Sequence, residues 1–309
     1  MSLPGAELLL SPWILALFGL CIGSFLNVVI HRLPLMMDRG WWGEVATQLS
    51  DTEAYRRVFG APPSPALAET GKSLNQALNA LGPPLSLSHP RSRCPSCGHM
   101  IAWYENIPVV SYLRLRGRCA ECKTRISPRY PFVELLTGAL FAAVGWRFGV
   151  APVALLWCFV VAMLVALAGI DWDTTLLPDT LTFPLLWAGL LASVLGWTIP
   201  LPQAIWGAAV GYLSLWSVYW LFKLTTGKEG MGYGDFKLLA ALGAWLGWQM
   251  ILPIVLGASV IGAVVGIAMK MSSNLREGRY VPFGPFLAGG GIVVMLAGQQ
   301  RVLGWLGWA

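Results

Sequence analysis

The chain has 309 residues, of which 56% are hydrophobic and only 12% are charged, and its mean hydropathy is +0.63. These values exclude an ordinary soluble domain and are typical of a polytopic membrane protein. The net charge of +6 does not require a nucleic-acid partner, because the orientation of basic loops in a membrane accounts for it.

Eight apolar runs predict transmembrane helices, because about 20 apolar residues span the hydrocarbon layer of a bilayer. They are Trp13–Ile30, Phe132–Val150, Ala151–Ile170, Leu181–Ile199, Ala204–Phe222, Phe236–Leu252, Ile254–Met269 and Phe283–Gly298. The first run has no basic segment before it and no small-residue cleavage site after it, so we interpret it as a retained helix. The predicted fold is all-α, with about eight transmembrane helices in a lipid bilayer.

The basic residues predict the orientation of these helices. Thirteen of the 21 lysines and arginines lie between Arg32 and Arg129. With eight helices, six more fall on the same side of the membrane: Lys223, Lys228, Lys237, Lys270, Arg276 and Arg279. Only Arg147 and Arg301 fall on the other side. The positive-inside rule therefore predicts that residues 34–130 lie in the cytoplasm and that both termini face out, on the other side of the membrane.

This polar segment separates a first helix in residues 1–33 from a seven-helix membrane domain in residues 131–309. Its first part, Pro34–Pro90, is rich in prolines and has no strong periodicity. We expect short helices joined by loops there. Its second part, residues 94–122, contains four cysteines and is the candidate for a small zinc-ribbon-like domain.

The cysteines form two C-x-x-C pairs, Cys94 with Cys97 and Cys119 with Cys122, separated by 21 residues. Two such pairs are typical of a structural zinc site with four thiolate ligands. Two disulfides and a redox pair remain alternatives, although a cytoplasmic location disfavours persistent disulfides. His99 is a further possible ligand, but it is more typical of a surface side chain.

Two acids lie at the edges of apolar runs: Asp171 ends the third run, and Asp235 precedes the sixth. An acid in a membrane segment costs about 2.5–3.5 kcal/mol at a helix centre and usually marks function. Gly232 and Gly234 complete a G-x-G-D sequence and allow close backbone approach. Two acids on neighbouring helices can share a proton and activate a water molecule, which is the chemistry of aspartic proteases.

Three other acids near the membrane edge have structural interpretations. We expect Asp173 to be a solvated loop residue and Asp179, which follows Pro178, to cap the next helix. Glu134 is expected to pair with Arg129 or a neighbouring arginine.

The chain resembles the bacterial prepilin peptidases, or type IV leader peptidases, over most of its length. Beside Asp171, the segments that carry the resemblance are Gly23–Pro34, Cys94–Cys97, Tyr104–Cys119, Ile126–Glu134, Leu177–Asp179, Gly232–Lys237 and Pro282–Leu287. Several long motifs in the family's order make accidental similarity a poor explanation. The insertion at residues 36–86 matches no family motif.

The resemblance implies an inner-membrane aspartic protease of the G-x-G-D type, with Asp171 and Asp235 as the catalytic pair. Its substrates would be type IV prepilins or type II secretion pseudopilins, cut after the glycine that ends a short basic leader. Many members also methylate the new N-terminus with S-adenosylmethionine as the methyl donor. The chain has no G-x-G-x-x-G sequence after a strand, so the residues that bind the donor are not assigned.

Two other classes of protein share parts of this pattern. A proton-coupled transporter also has about eight helices and paired membrane acids, but its acids would lie near the membrane midplane. A zinc-ribbon assembly factor for pilus machinery would not need Asp171 and Asp235. The position of both acids at one membrane edge favours the protease.

Overall fold

A computed structural model describes residues 9–271 and 281–308. Arg276 and Arg279, which the orientation argument places in the cytoplasm, lie outside the described residues, as do the two ends of the chain. Within the described ranges the regular structure is helical, apart from two isolated β-bridges, Arg93 with Met100 and Arg118 with Arg125. The expected helical class is confirmed.

Eight of the α-helices, α1 and α5 to α11, coincide with the predicted apolar runs, and α2, α3, α4 and α12 lie outside them. They are α1 Pro12–Ser50, α2 Thr52–Phe59, α3 Pro65–Ala80, α4 Val110–Arg114, α5 Arg129–Phe148, α6 Val153–Thr174, α7 Asp179–Val194, α8 Leu201–Thr226, α9 Tyr233–Leu246, α10 Ile251–Met271, α11 Gly284–Ala297 and α12 Gln299–Trp305. Short 3₁₀ turns lie at Trp103–Glu105 and Trp248–Met250. The described residues form two compact units, one from residues 28–101 and one from the parts of the chain before and after them.

Five helices are long and apolar enough to cross a membrane, and α11 with α12 makes a sixth if this pair, bent by 105°, counts as one broken span. The five are α1, α5, α6, α8 and α10 together with the turn before it. Helices α7 and α9 have only 16 and 14 residues. The chain is a multi-pass membrane protein, and the count of eight crossings stays a prediction.

Helix α1 does not end at the predicted boundary before Pro34. It continues to Ser50, so Pro34 lies inside the helix, and residues 34–50 belong to one long helix rather than to the short helices and loops that we expected from Pro34 onward. A proline removes one backbone donor from the helical ladder, but a helix can tolerate this when the surrounding residues favour it. Beyond Ser50 the short helices that we expected are present.

Local sequence signals delimit these two short helices of the 28–101 unit. The Asp51 side chain accepts hydrogen bonds from the first turn of α2, and Gly60 ends α2 in the left-handed conformation. The Ser64 side chain caps α3, whose first residue is Pro65. Gly71 of α3 lies against the end of α1, close to Ser50. The α1 extension and α3 therefore pack together within this unit.

In the other unit, glycines bring helices into direct backbone contact. Gly207 of α8 faces Gly243 of α9, and a Cβ on either residue would overlap the other residue's carbonyl oxygen. Gly211 of α8 also lies close to the backbone of α9, where a Cβ would be 2.6 Å from the carbonyl oxygen of Leu239. Small residues suit this contact because lipid supplies no hydrophobic force between helices.

Polar contacts show which helix ends meet at one edge of the unit. Arg129 at the start of α5 pairs with Asp173 at the end of α6, and Lys237 near the start of α9 pairs with Asp179 at the start of α7. The backbone N–H of Gly284, at the start of α11, also binds the end of α6.

At the opposite edge, Arg147 at the end of α5 donates to the carbonyl of Leu296 near the end of α11. Gln299 donates to the carbonyl of Leu246 at the end of α9. Helix α9 therefore reaches from one edge of the unit to the other, although its 14 residues span only about 21 Å.

We predict that Gly243→Ala lowers the free energy of unfolding by about 1–3 kcal/mol, because the new methyl group would force α8 and α9 apart. Gly257→Ala is the matched control, since a Cβ at Gly257 of α10 meets no atom within 4 Å. Thermal unfolding of both purified variants in detergent measures the difference. Equal unfolding temperatures would contradict this role of Gly243.

Candidate active site

Asp171 lies in the last turn of α6, with only 5% of its surface exposed. The helix ends four residues later, where Thr175 adopts the left-handed conformation and its N–H donates to the Asp171 carbonyl. The Asp171 carboxylate accepts a hydrogen bond of 2.9 Å from the backbone N–H of Gly284. A Cβ at Gly284 would lie 2.6 Å from the carboxylate oxygen Oδ2, so only glycine allows this approach.

Asp235 is the third residue of α9 and is 7% exposed. Gly232, the residue that precedes the helix, lies close to this carboxylate: a Cβ on Gly232 would be 3.8 Å from Asp235 Oδ2. An acid in the first turn also interacts favourably with the helix dipole. Both candidate acids are thus buried, and Asp171 is bound by a backbone donor.

The structure brings the two acids together. The carboxylates of Asp171 and Asp235 interact electrostatically. Leu177, between α6 and α7, packs against both Gly234 and Gly284, the glycines beside the two acids. Their catalytic role stays a prediction, but the arrangement suits two acids that share one proton.

The loop before Asp235 is anchored by Glu229. Its carboxylate accepts hydrogen bonds from Lys223 Nζ at 2.8 Å and from the Tyr219 hydroxyl at 3.2 Å. The bond from Lys223 lowers the pKa of Glu229 below its ordinary value, because it stabilises the charged form. This contact ties the loop that carries the first glycine of G-x-G-D to the end of α8.

The structural interpretations of the other acids were wrong. Asp173 is not a loop residue: it lies within α6, and both its carboxylate oxygens are 2.6 Å from Arg129 Nη1. Asp179 does not cap α7, because the capping position is Pro178 and has no side-chain hydrogen bond. Its carboxylate pairs with Lys237 at 2.7 Å.

Glu134 also has a different partner from the one expected. It is buried in α5, and its carboxylate accepts a hydrogen bond of 2.7 Å from the backbone N–H of Val109. Val109 has a positive φ of 59°, an unfavourable conformation for a β-branched residue. Because Arg129 pairs with Asp173, we conclude that Glu134 stabilises a backbone turn rather than an arginine.

The two cysteine pairs have the same local backbone structure. In the first, the Cys94 N–H donates to the carbonyl of His99, and the next residue after the pair, Gly98, has a positive φ. In the second, the Cys119 N–H donates to Thr124, and Lys123 has the positive φ. Each pair therefore lies in a tight turn that places its two sulfur atoms side by side.

The four cysteines form a group that could hold a metal ion, with all four sulfur atoms within 4.8 Å of one another. Tetrahedral Zn–S bonds of about 2.3 Å place sulfur atoms about 3.8 Å apart, so the group fits a zinc ion. His99 is not a member of the group.

Sequence reasoning missed several residues that support the acids. It assigned no role to Gly284, although this residue lies in one of the segments that carry the family resemblance. It also missed that Arg129 and Lys237 bind the acids Asp173 and Asp179. Hydrophobic periodicity contains no signal for these contacts, because each partner comes from a different helix.

The fold and the two buried acids define a membrane-embedded helical protein with an aspartic-type site. Residues 17–148 match the family model described as the bacterial peptidase A24 N-terminal domain, and residues 158–267 match the type IV leader peptidase family. The chain is 48% identical to the prepilin leader peptidase/N-methyltransferase of Stutzerimonas stutzeri, over 94% of this chain and 92% of that protein.

Similar proteins of the same name occur in other bacteria. Identity is 48% to the protein of Pseudomonas aeruginosa, over 92% of this chain and 89% of that one. It is 49% to the protein of Aeromonas hydrophila, over 94% and 93%. No solved structure matches the chain significantly. The chain belongs to the prepilin leader peptidase/N-methyltransferase family.

We predict about one zinc ion per chain, measured by elemental analysis of the purified protein. Cys94→Ser or Cys119→Ser should lower the zinc content and destabilise this segment, because structural zinc contributes on the order of 10–16 kcal/mol in zinc-finger peptides. Cys158→Ser is the control, since Cys158 is buried in α6 and outside the cysteine group. A folded and active wild-type preparation without metal would contradict the assignment.

Proposed function

We propose that Asp171 and Asp235 are the catalytic pair with which this enzyme cuts the leader from type IV prepilins or type II secretion pseudopilins. The enzyme is a leader peptidase with N-methyltransferase activity, as its family membership establishes. The observation that carries the assignment of the pair is the burial and electrostatic interaction of these two acids at one edge of the helical unit.

Two interacting buried carboxylates share one proton, because both do not readily ionise together. The protonated acid donates a hydrogen bond to the scissile carbonyl, and the ionised acid removes a proton from a water molecule. The water oxygen bonds to the carbonyl carbon, the C–N bond then breaks, and the leaving amine takes up a proton. The pair titrates as a unit, so neither acid has a fixed role.

The position of the acids suits a substrate with an apolar helix. That helix would lie among the helices of the enzyme and present the bond after the leader glycine at the membrane edge. The basic leader would remain on the cytoplasmic side. Hydrolysis exposes a new N-terminal amine, which is the group that the second activity methylates.

S-adenosylmethionine supplies an electrophilic methyl group when it is bound. A cleft of about 550 Å³ in the larger unit is lined by Tyr112, Ser127 and three arginines, Arg116, Arg118 and Arg125. Its lining residues include no carboxylate, and a cluster of guanidinium groups does not complement the positive sulfonium of the donor. This cleft therefore does not fit the donor, and we derive no methylation step from it.

The two alternative classes lack comparable support. A transporter would place its acids near the midplane, whereas Asp171 and Asp235 lie at helix ends. An assembly factor without catalysis has no need for two buried interacting acids. The family is enzymatic, which agrees with the protease interpretation.

We predict that Asp171→Asn and Asp235→Asn each abolish leader cleavage, because neither acid alone both activates water and polarises the carbonyl. The measurement is mass spectrometry of a prepilin incubated with purified enzyme. Asp38→Asn is the matched control, since Asp38 is an exposed acid in the extension of α1. A wild-type cleavage rate in Asp235→Asn would refute the aspartic mechanism.

The same variants separate the two activities. Methylation requires the free amine, so the Asp171→Asn enzyme should fail on full-length prepilin but still methylate pilin that is supplied already cut, with a labelled methyl donor. If the wild-type control methylates pre-cut pilin and the Asp171→Asn enzyme transfers no label, the acids also organise the binding site of the methyl donor.

The proposed orientation places residues 34–130 and the edge with Asp171 and Asp235 in the cytoplasm, and both chain ends in the periplasm. The membrane protease domain is then residues 131–309. Two observations support it: Arg129 and Lys237 lie at the same edge as the acids, whereas Arg147 lies at the opposite edge.

Thiol labelling in intact cells tests this orientation, with one cysteine introduced at a time into the protein that keeps its own six cysteines, whose labelling is subtracted as background. We expect cysteines introduced at Lys72 and Lys228 to react only after the inner membrane is made permeable, and one at Gln299 to react in cells whose outer membrane alone is permeable. Labelling at Lys72 before permeabilisation would reverse the orientation and would also remove the reason to prefer zinc over disulfides.

A further inference from the structure

A short segment between α6 and α7, Leu177–Asp179, touches the supports of both acids. A Cβ at Gly234, the residue before Asp235, would lie 2.7 Å from Leu177 Cβ. A Cβ at Gly284, whose N–H binds Asp171, would lie 3.2 Å from Leu177 Cδ1. The segment is therefore in contact with the backbone beside each carboxylate.

Helices α6 and α9, which carry the two acids, are held relative to each other by the helices that pack between them. Helix α6 packs mainly against α11 and α5, and α9 packs mainly against α8 and α7. Because α6 and α9 have little direct packing, α7 and α11 set the separation of the two carboxylates. Helix α11 acts on Asp171 through Gly284 and packs against α9 further along, where Gly291 lies against Leu242. The first turn of α9, which carries Asp235, is joined to α7 by a separate contact.

That contact is the ion pair of Lys237 with Asp179. Lys237 Nζ lies 2.7 and 2.8 Å from the two carboxylate oxygens of Asp179, and 5.2 Å from the centre of the Phe183 ring. Lys237 comes two residues after Asp235, so the two side chains leave α9 on different faces. The lysine joins the first turn of α9 to the first turn of α7 without contact with the catalytic acid.

We propose that Lys237 and Asp179 are positioning residues for leader cleavage, which hold the turn that carries Asp235 at its working distance from Asp171. This inference rests on the proposed catalytic pair. The side chains of Lys237 and Asp179 are 28% and 49% exposed, and ion pairs of this kind contribute little to the free energy of unfolding. A small displacement of a catalytic group, in contrast, has a large effect on rate.

The test uses the full-length enzyme with Lys237→Met, Asp179→Asn, both substitutions together, and the conservative Lys237→Arg. Leader cleavage is measured as kcat and KM, and methylation of pre-cut pilin is measured in the same preparations. We expect each single substitution to lower kcat at least about tenfold, with KM within about twofold and methylation unchanged, because only the alignment of the acids is lost.

The double variant shows whether Lys237 and Asp179 act through one shared contact or independently of each other. If Lys237 and Asp179 act through one contact, the double variant should be no slower than the slower single variant, and Lys237→Arg should remain within about threefold of wild type. Arg57→Met is the control, since it removes a fully solvated ion pair with Glu53 whose side chains are 78% and 89% exposed.

Three outcomes would overturn the proposal: single variants that cleave at the wild-type rate, a double variant whose loss is the product of the single losses, or an equal fall in methylation. None of these outcomes bears on the catalytic pair itself. That assignment fails only if Asp171→Asn or Asp235→Asn enzyme still cleaves, so the two hypotheses are tested by different variants.

Discussion

The burial of two carboxylates without a cationic partner is the constraint on which the rest of the site depends. Among the described residues, Asp171 and Asp235 form no ion pair, and Asp171 accepts a hydrogen bond from the backbone N–H of Gly284. The two basic residues at the same edge are bound by other acids instead. An arginine or lysine beside either acid would favour the fully ionised pair and prevent the sharing of a proton. Glycine is required at position 284, because a Cβ there would lie 2.6 Å from the Asp171 carboxylate oxygen Oδ2.

The sequence predicted the elements that depend on composition. Each long apolar run became a helix, and Asp171 and Asp235 were recognised because acids are rare at the edges of such runs. Prediction from the sequence failed where contacts between helices outweigh a local sequence signal such as a proline. Pro34 suggested a boundary, yet α1 continues through it, and Pro178 suggested a cap at Asp179, yet this acid binds Lys237. Such pairings depend on which helix ends meet, and hydrophobic periodicity carries no information about that.

The cysteine pairs show the opposite case, in which local sequence determines local structure completely. Each C-x-x-C turn is closed by the same two backbone hydrogen bonds and by one residue with a positive φ. Glycine occupies that position in the first turn, but Lys123 occupies it in the second, at a cost in conformational strain. These turns place the two thiols of each pair side by side. A metal such as zinc held by all four thiols would join two pairs whose shape the local backbone already sets.

Helix α9 explains how the acids avoid lipid. From Asp235 to Leu246 every residue except Lys237 is buried, so this helix is surrounded by protein rather than by hydrocarbon. A helix in that position does not have to match the bilayer in length, and 14 residues suffice to cross the unit from edge to edge. Its polar first turn and its glycine contacts with α8 are tolerated for the same reason. The long apolar helices are the ones that composition identifies as membrane crossings. Helix α9, which carries Asp235, is shorter and is enclosed by other helices of the unit. If the proposed pair hydrolyses the leader, water has to reach it from the edge of the unit at which α9 begins, rather than through the bilayer.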